Sequence, residues 1–226
     1  IPLFMALIYV VFLRLLGGRG VPLADIIIGV FAWQFTVQCV NAGLTSITGS
    51  ANLVKKVAFP RMILPLSSTL ANAVTYAMSL LVQFPLVAIL FYLSGQHFGL
   101  IWLPVVLFVH LAFNLALALL LAALNVVIRD AQHLVGILLS AWFFVSPVMY
   151  NIEFVTRHAE AHPWIPHVFL LNPLTLIITG YRCAITAGTT FPWEPAAWAG
   201  LAAIGLFLLF AYRLFQRLQK DFADLL

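Results

Sequence analysis

The chain has 226 residues, 64% of them hydrophobic and only 8% charged, with a formal net charge of +4 and a mean hydropathy of +1.08. That leaves too little polar surface to coat a water-soluble globule of this size, so the chain reads as an integral membrane protein. Its 11 Lys and Arg sit in short loops and at the end of the sequence, not along one face, which excludes a nucleic-acid-binding patch.

A spanning segment needs about 20 apolar residues and must be helical, because lipid offers no partner to backbone polar groups. Apolar runs at about 1–16, 23–50, 62–93, 101–128, 131–150 and 194–214 predict six transmembrane helices. The first run is short for a span, and Ile1 opens with neither the basic start nor the cleavage site of a signal peptide, so this helix reads as clipped.

Polar side chains of the second run recur as Gln34, Gln38, Asn41, Thr45 and Thr48, on one helical face, and the third run repeats this with Ser68, Asn72, Thr75, Ser79 and Gln83. Two readings stay open: hydrogen-bonding glue between helices, or a wet, sugar-compatible lining. Phe31, Trp33 and Phe35 beside the first stripe, and Trp142, Phe143 and Phe144 in the fifth run, are either packing residues or aromatic faces for sugar rings. In the lining reading the channel residues are Phe31, Trp33, Gln34, Phe35, Gln38, Asn41, Trp142 and Phe143.

Between the second and third runs, Lys55, Lys56 and Arg61 form a basic elbow in a chain almost without charge elsewhere. Cytoplasmic loops concentrate Lys and Arg, so the elbow orients the chain and offers a place for an external motor to push. On that orientation Arg129-Asp130 and the Arg213 to Lys220 tail are also internal, while Trp102, Trp164, Trp193, Trp198, Tyr92 and Tyr150 fall at the outer boundary, where interfacial aromatics belong. No Asp, Glu, Lys or Arg lies near the centre of a run, which leaves no acid to carry a coupling ion. His110, with Asn114 one turn later, is either a neutral helix-to-helix bond or a proton relay.

The stretch 151–192 contains Pro163, Pro166 and Pro173, then a moderately apolar run holding Asn172 and Arg182. A full crossing there would put Arg182 in lipid and throw the basic tail outside, so the segment reads as re-entrant helices forming an external gate. His158, His162 and His167 in this region have spacings that suit surface histidines or a metal site, with no accompanying Cys cluster. Cys39 and Cys183 read as packing residues, and no Gly-rich phosphate loop of the G-x-x-x-x-G-K-[ST] kind or nucleophile elbow is present. The chain lacks those devices for hydrolysing ATP.

Asn52-Leu53-Val54-Lys55-Lys56 followed by Phe59-Pro60-Arg61 and Leu64-Pro65-Leu66-Ser67, then Asn125 with Arg129-Asp130 and His133, then Asn172-Pro173-Leu174 before Tyr181-Arg182, together resemble the permease subunit of type-2 ABC exporters of lipid-linked polysaccharides such as O-antigen and teichoic acid. The resemblance implies an all-α permease domain over 1–226, with six spans, a cytoplasmic coupling segment at 51–62 and a re-entrant gate at 151–192. It also implies a cytoplasmic interface helix ahead of Ile1, a second copy of the chain as partner, and two ATP-binding cassette subunits that bind ATP and Mg, leaving this chain without a cofactor. The ATPase contact would fall on Asn52, Lys55, Lys56, Phe59, Pro60, Arg61, Arg129 and Asp130. Asn172, Pro173, Tyr181 and Arg182 would form the outer gate, with Arg182 meeting a diphosphate or anchoring at the interface. The setting implied is the bacterial cytoplasmic membrane. Two alternatives stay open: a type-2 ABC permease for a drug or simple lipid, and a membrane-embedded enzyme using the external histidines with Glu153 or Glu160.

Overall fold

The computed structural model describes residues 22–57, 59–94, 100–128, 130–151, 164–186 and 190–225, together with Phe4, Ile8 and Val155. The first apolar run, apart from those two residues, and Arg129, Glu153, His158, Glu160 and His162 lie outside them. Helices are the regular elements among the described residues: α1 Leu23–Ser46, α2 Ala51–Lys56, α3 Ile63–Ser94, α4 Leu103–Val127, α5 Ala131–Val145, α6 Trp164–Leu171, α7 Pro173–Ile185, α8 Pro195–Leu218 and α9 Phe222–Leu225. Four of them, α1, α3, α4 and α8, are long and apolar enough to cross a membrane, and the bent pair of α6 and α7 makes up to five. The protein is a helical multi-pass membrane protein.

Two of the predicted runs are broken, each for a local reason. The second ends as a span at Ser46 and continues through a 3-10 turn, Thr48–Ser50, into the short α2. The fifth stops at Val145 instead of reaching Tyr150, because Pro147 disfavours helical backbone at Ser146, which turns extended with ψ 144°. With 15 residues, α5 is shorter than a perpendicular span requires.

Helix α1 is the hub. It is apolar nearly all round and packs on α3, α4 and α7. It approaches α4 closely at Gly43, where a Cβ would fall 2.6 Å from the Cα and Cβ of Ala118. Gly43 therefore lets the two backbones come closer than any side chain permits. Gly43→Leu is expected to separate α1 from α4 and destabilise the fold by about 1–3 kcal/mol, read as a lower unfolding midpoint in detergent. An unchanged midpoint would show that this crossing does not hold the bundle.

One end of the molecule collects the elbow, the end of α4 and the C-terminal segment. Asn125 at the foot of α4 donates to the Leu44 carbonyl (2.8 Å) and the Thr48 hydroxyl (3.1 Å), while Arg61 donates to the Gln219 carbonyl. Ile47, Val54, Phe215 and Phe222 form a buried apolar knot beneath α2. The opposite end gathers Asp25, residues 146–150 and the helix α7. Trp102, Trp164, Trp193 and Trp198 are all exposed.

Candidate functional site

A groove of about 700 Å³ opens between α1 and α5. Residues Trp33, Gln34, Val37 and Asn41 of α1 face Gly136, Leu139, Ser140, Phe143 and Phe144 of α5 across it. The spacing on both helices is i, i+3/i+4, i+7, so each contributes a single stripe. Trp33 and Phe143 meet edge to face at 5.4 Å. Amide and hydroxyl groups alternate with aromatic faces, a wall that both hydrogen-bonds and stacks on a ring.

Trp33, Gln34, Asn41 and Phe143 of the expected lining thus stand together on this groove. Phe31 and Phe35 do not: they are 3% and 2% exposed in the core, with Phe35 stacked on Tyr76 at 4.5 Å and edge-on to His110. The correction has a physical cause: Phe31 and Phe35 lie roughly a third of a turn round α1 from the Gln34, Val37 and Asn41 stripe, and Phe35 is turned to Tyr76 of α3 and His110 of α4. Gln38 is half-buried beside the α3 contact, where its carbonyl accepts from Asn72. Trp142 turns away to donate its indole N–H to Asn172 Oδ1 at 3.1 Å. Phe144, one of the aromatic cluster singled out in the fifth run, also lines the groove, whereas Val37, Gly136, Leu139 and Ser140 are additions from the structure, although Gly136, Ser140 and Phe143 share a helical face in the sequence.

The two polar stripes resolve largely into local bonding. Hydroxyls of Thr45, Thr48, Ser68, Thr75 and Ser79 donate to carbonyls three or four residues earlier in their own chain segment. Such back-bonding satisfies a hydroxyl without water. Asn72 alone of these bridges the helices α1 and α3, through the Gln38 carbonyl at 3.3 Å.

The bend between α6 and α7 is 92°. Asn172 makes it: its Oδ1 accepts from the Leu174 N–H (3.1 Å) and from Trp142, and its Nδ2 donates to Ser146 Oγ (3.1 Å). Pro173 follows at the first helical position, where a missing N–H costs nothing. This Asn-Pro cap starts α7 and ties it to the top of α5. Tyr181 is buried, its hydroxyl 3.1 Å from His110 Nδ1, while His110 Nε2 lies 2.8 Å from Thr36 Oγ1. The chain of bonds fixes α7 to α4 and α1 in the way a neutral histidine joins helices.

Arg182 departs from expectation. It is 7% exposed, and its guanidinium donates to the carbonyls of Asp25, Pro147, Val148 and Tyr150. With the fork enclosed by backbone, it neither presents itself to a diphosphate nor snorkels to an interface. Gly29 makes room for this arrangement, since a Cβ there would fall 2.3 Å from the Val148 oxygen and 3.1 Å from Arg182 Nη2.

At the elbow, Asn52, Lys55, Lys56 and Pro60 are exposed, Phe59 packs against the apolar knot and Arg61 is half-buried on the C-terminal segment. Asp130 is exposed at the start of α5. His167 at the opposite end pairs with Glu194 at 3.0 Å, and among the described residues no cluster of three His, Cys, Asp or Glu is placed to hold a metal ion.

A multi-pass bundle with a polar-aromatic groove, a bent helical pair at one end and a pinned basic elbow at the other has the build of a membrane transport subunit. Residues 1–186 match the ABC-2 type transporter family, and the chain belongs to that family. It is similar to the O-antigen export system permease protein RfbA of Myxococcus xanthus, 30% identical over 228 residues, covering 99% of this chain and 84% of that protein. Two permeases of the same name from Klebsiella pneumoniae are 25% and 26% identical, over 83% and 80% of this chain and 71% and 68% of their own lengths.

Proposed function

We propose that this chain is the transmembrane subunit of an ATP-driven exporter that carries polyprenyl-diphosphate-linked polysaccharide, of the O-antigen type, across the bacterial cytoplasmic membrane. The observation that carries this reading is the similarity to an O-antigen export permease along 99% of the chain. The groove chemistry supports it, because aromatic rings interleaved with amides and hydroxyls suit a glycan better than an ion.

In this reading two copies pair with their grooves facing, six spans in each, and the first apolar run supplies the span that precedes α1. The fuel is burned outside this chain, on two ATP-binding cassette subunits that carry ATP and Mg. Their closure presses on Asn52, Lys55, Lys56, Phe59, Pro60 and Arg61, and on the Arg129-Asp130 turn. Force passes from the elbow to α8 through the Arg61 to Gln219 bond and the Phe215 and Phe222 knot, and to α4 through Thr48 and Asn125. The sugar threads past Trp33, Gln34, Asn41 and Phe143 while the lipid tail stays in the bilayer. Asn172, Pro173, Tyr181 and Arg182 hold the shape of the outer gate as scaffold, without touching cargo.

The test is reconstitution of the permease in proteoliposomes with and without its ATPase subunits. Glycolipid-stimulated ATP hydrolysis and nucleotide-dependent appearance of glycan across the membrane are expected only with the ATPase present. Turnover by the permease alone would point to an enzyme and overturn the proposal, and stimulation by simple lipids or drugs but not by polyprenyl-diphosphate glycan would reassign the cargo.

A further inference from the structure

A second cavity, of about 330 Å³, lies on the far side of α7 from Arg182. Its walls are Val106 and Val109 of α4, Ile177 and Gly180 of α7, and Phe191 and Leu201 beside and on α8, with the exposed Trp102 and Trp193 on its lining. Its residues are distinct from those of the groove between α1 and α5. We infer that this cavity is a seat for one acyl chain of a bilayer phospholipid, entering beside the two tryptophans and lying between the start of α4 and the gate helix α7.

Three observations point to that occupant. None of the described residues on the lining is charged, so the site suits a chain and not a headgroup. Arg182 of α7 turns away from the cavity, its guanidinium held by four backbone carbonyls on the opposite side of the helix. A diphosphate-bearing carrier therefore finds no partner here, whereas an ordinary membrane lipid needs none. Exposed tryptophans mark the headgroup level of a bilayer, which places a hydrocarbon chain directly below them, at the depth of the cavity. Gly180 shapes the inner wall: a Cβ there would come to 3.3 Å from a Val106 methyl, so the glycine keeps α7 and α4 close while leaving the cavity unfilled beside them. Apolar walls gain dispersion contacts when a flexible chain fills them, and lipid is the solvent that supplies one. A tail seated there braces the gate helix from the lipid side. The inference rests on the membrane setting and not on the identity of the cargo.

The test uses the intact permease in nanodiscs made with phosphatidylcholine carrying a diazirine in one acyl chain, with adducts located by peptide mass spectrometry. Label density on peptides covering 102–109 and 176–184 is expected to exceed that on the exposed α3 face of Val74, Met78 and Leu81 by about fivefold or more. Filling the cavity with Gly180→Phe, or blocking its entrance with Val105→Trp on the exposed start of α4, is expected to bring the two densities level. Val105→Trp changes an exposed side chain, so it keeps the test decisive if Gly180→Phe fails to fold. Even labelling of all lipid-facing peptides in the unaltered protein overturns the inference, as does enrichment that survives Val105→Trp. Preferential labelling by a polyisoprenoid diazirine probe also overturns it, by assigning the cavity to the cargo's tail.

Discussion

Arg182→Leu is expected to lower stability by about 3 kcal/mol, since the buried carbonyls of Pro147 and Val148 lose the guanidinium as donor and a buried carbonyl left unpaired costs about 1–3 kcal/mol. Leucine fills much of the volume but abandons the carbonyls of Asp25, Pro147, Val148 and Tyr150, which the guanidinium reaches at 2.7 to 3.3 Å. Those carbonyls belong to the start of α1 and the segment after α5, so the substitution uncouples three parts of the bundle at one point. Arg182→Lys keeps the charge but replaces a planar fork by a single ammonium with three donors, and is expected to fall between wild type and Leu. Thermal unfolding of the detergent-solubilised permease measures the order. The comparison also separates two roles: a residue that contacts cargo loses export at full stability, whereas a clamp loses stability first. A leucine variant that unfolds with wild type but exports nothing would return Arg182 to the transport path.

Arg61→Ala is expected to lower the glycan exported per ATP hydrolysed by about tenfold, within the range of one to two orders typical of a broken coupling between sites. Its guanidinium links the elbow to the Gln219 carbonyl at the end of α8, so its removal leaves the elbow to move without drawing the last span along. The paired substitution Lys55→Ala with Lys56→Ala acts differently, because both side chains are exposed and, in the proposed reading, meet the ATPase subunits. That variant is expected to reduce assembly with the ATPase subunits, in a way that becomes less visible as salt is raised. Export, ATP hydrolysis and subunit stoichiometry measured on one preparation distinguish the two effects. Undiminished export in both variants with intact stoichiometry would remove the elbow from the transmission path.

Several of these features are legible in the linear chain because they depend on neighbours in sequence. Long apolar runs require helices in lipid whatever they pack against, and the Lys55 to Arg61 cluster stands out against a background of 8% charge. The Asn172-Pro173 pair announces a helix start, since an amide that caps and a proline that lacks an N–H act within three residues. The break after Val145 is equally local, fixed by Pro147, but the apolar run continues through it and masks it.

What the chain alone determined is its medium, its secondary structure and the place of its basic hinge, because apolarity, proline and charge exert those effects over a turn or two. Only the tertiary structure decided which side chains face inward: that Phe31 and Phe35 are core and not groove, and that Arg182 is a buried clamp. The reason is that the Gln34 to Asn41 stripe marks one face of α1 but does not tell which flanking aromatics share it, since most of the helix is buried. An arginine, likewise, is indistinguishable from an exposed one until distant carbonyls converge on it.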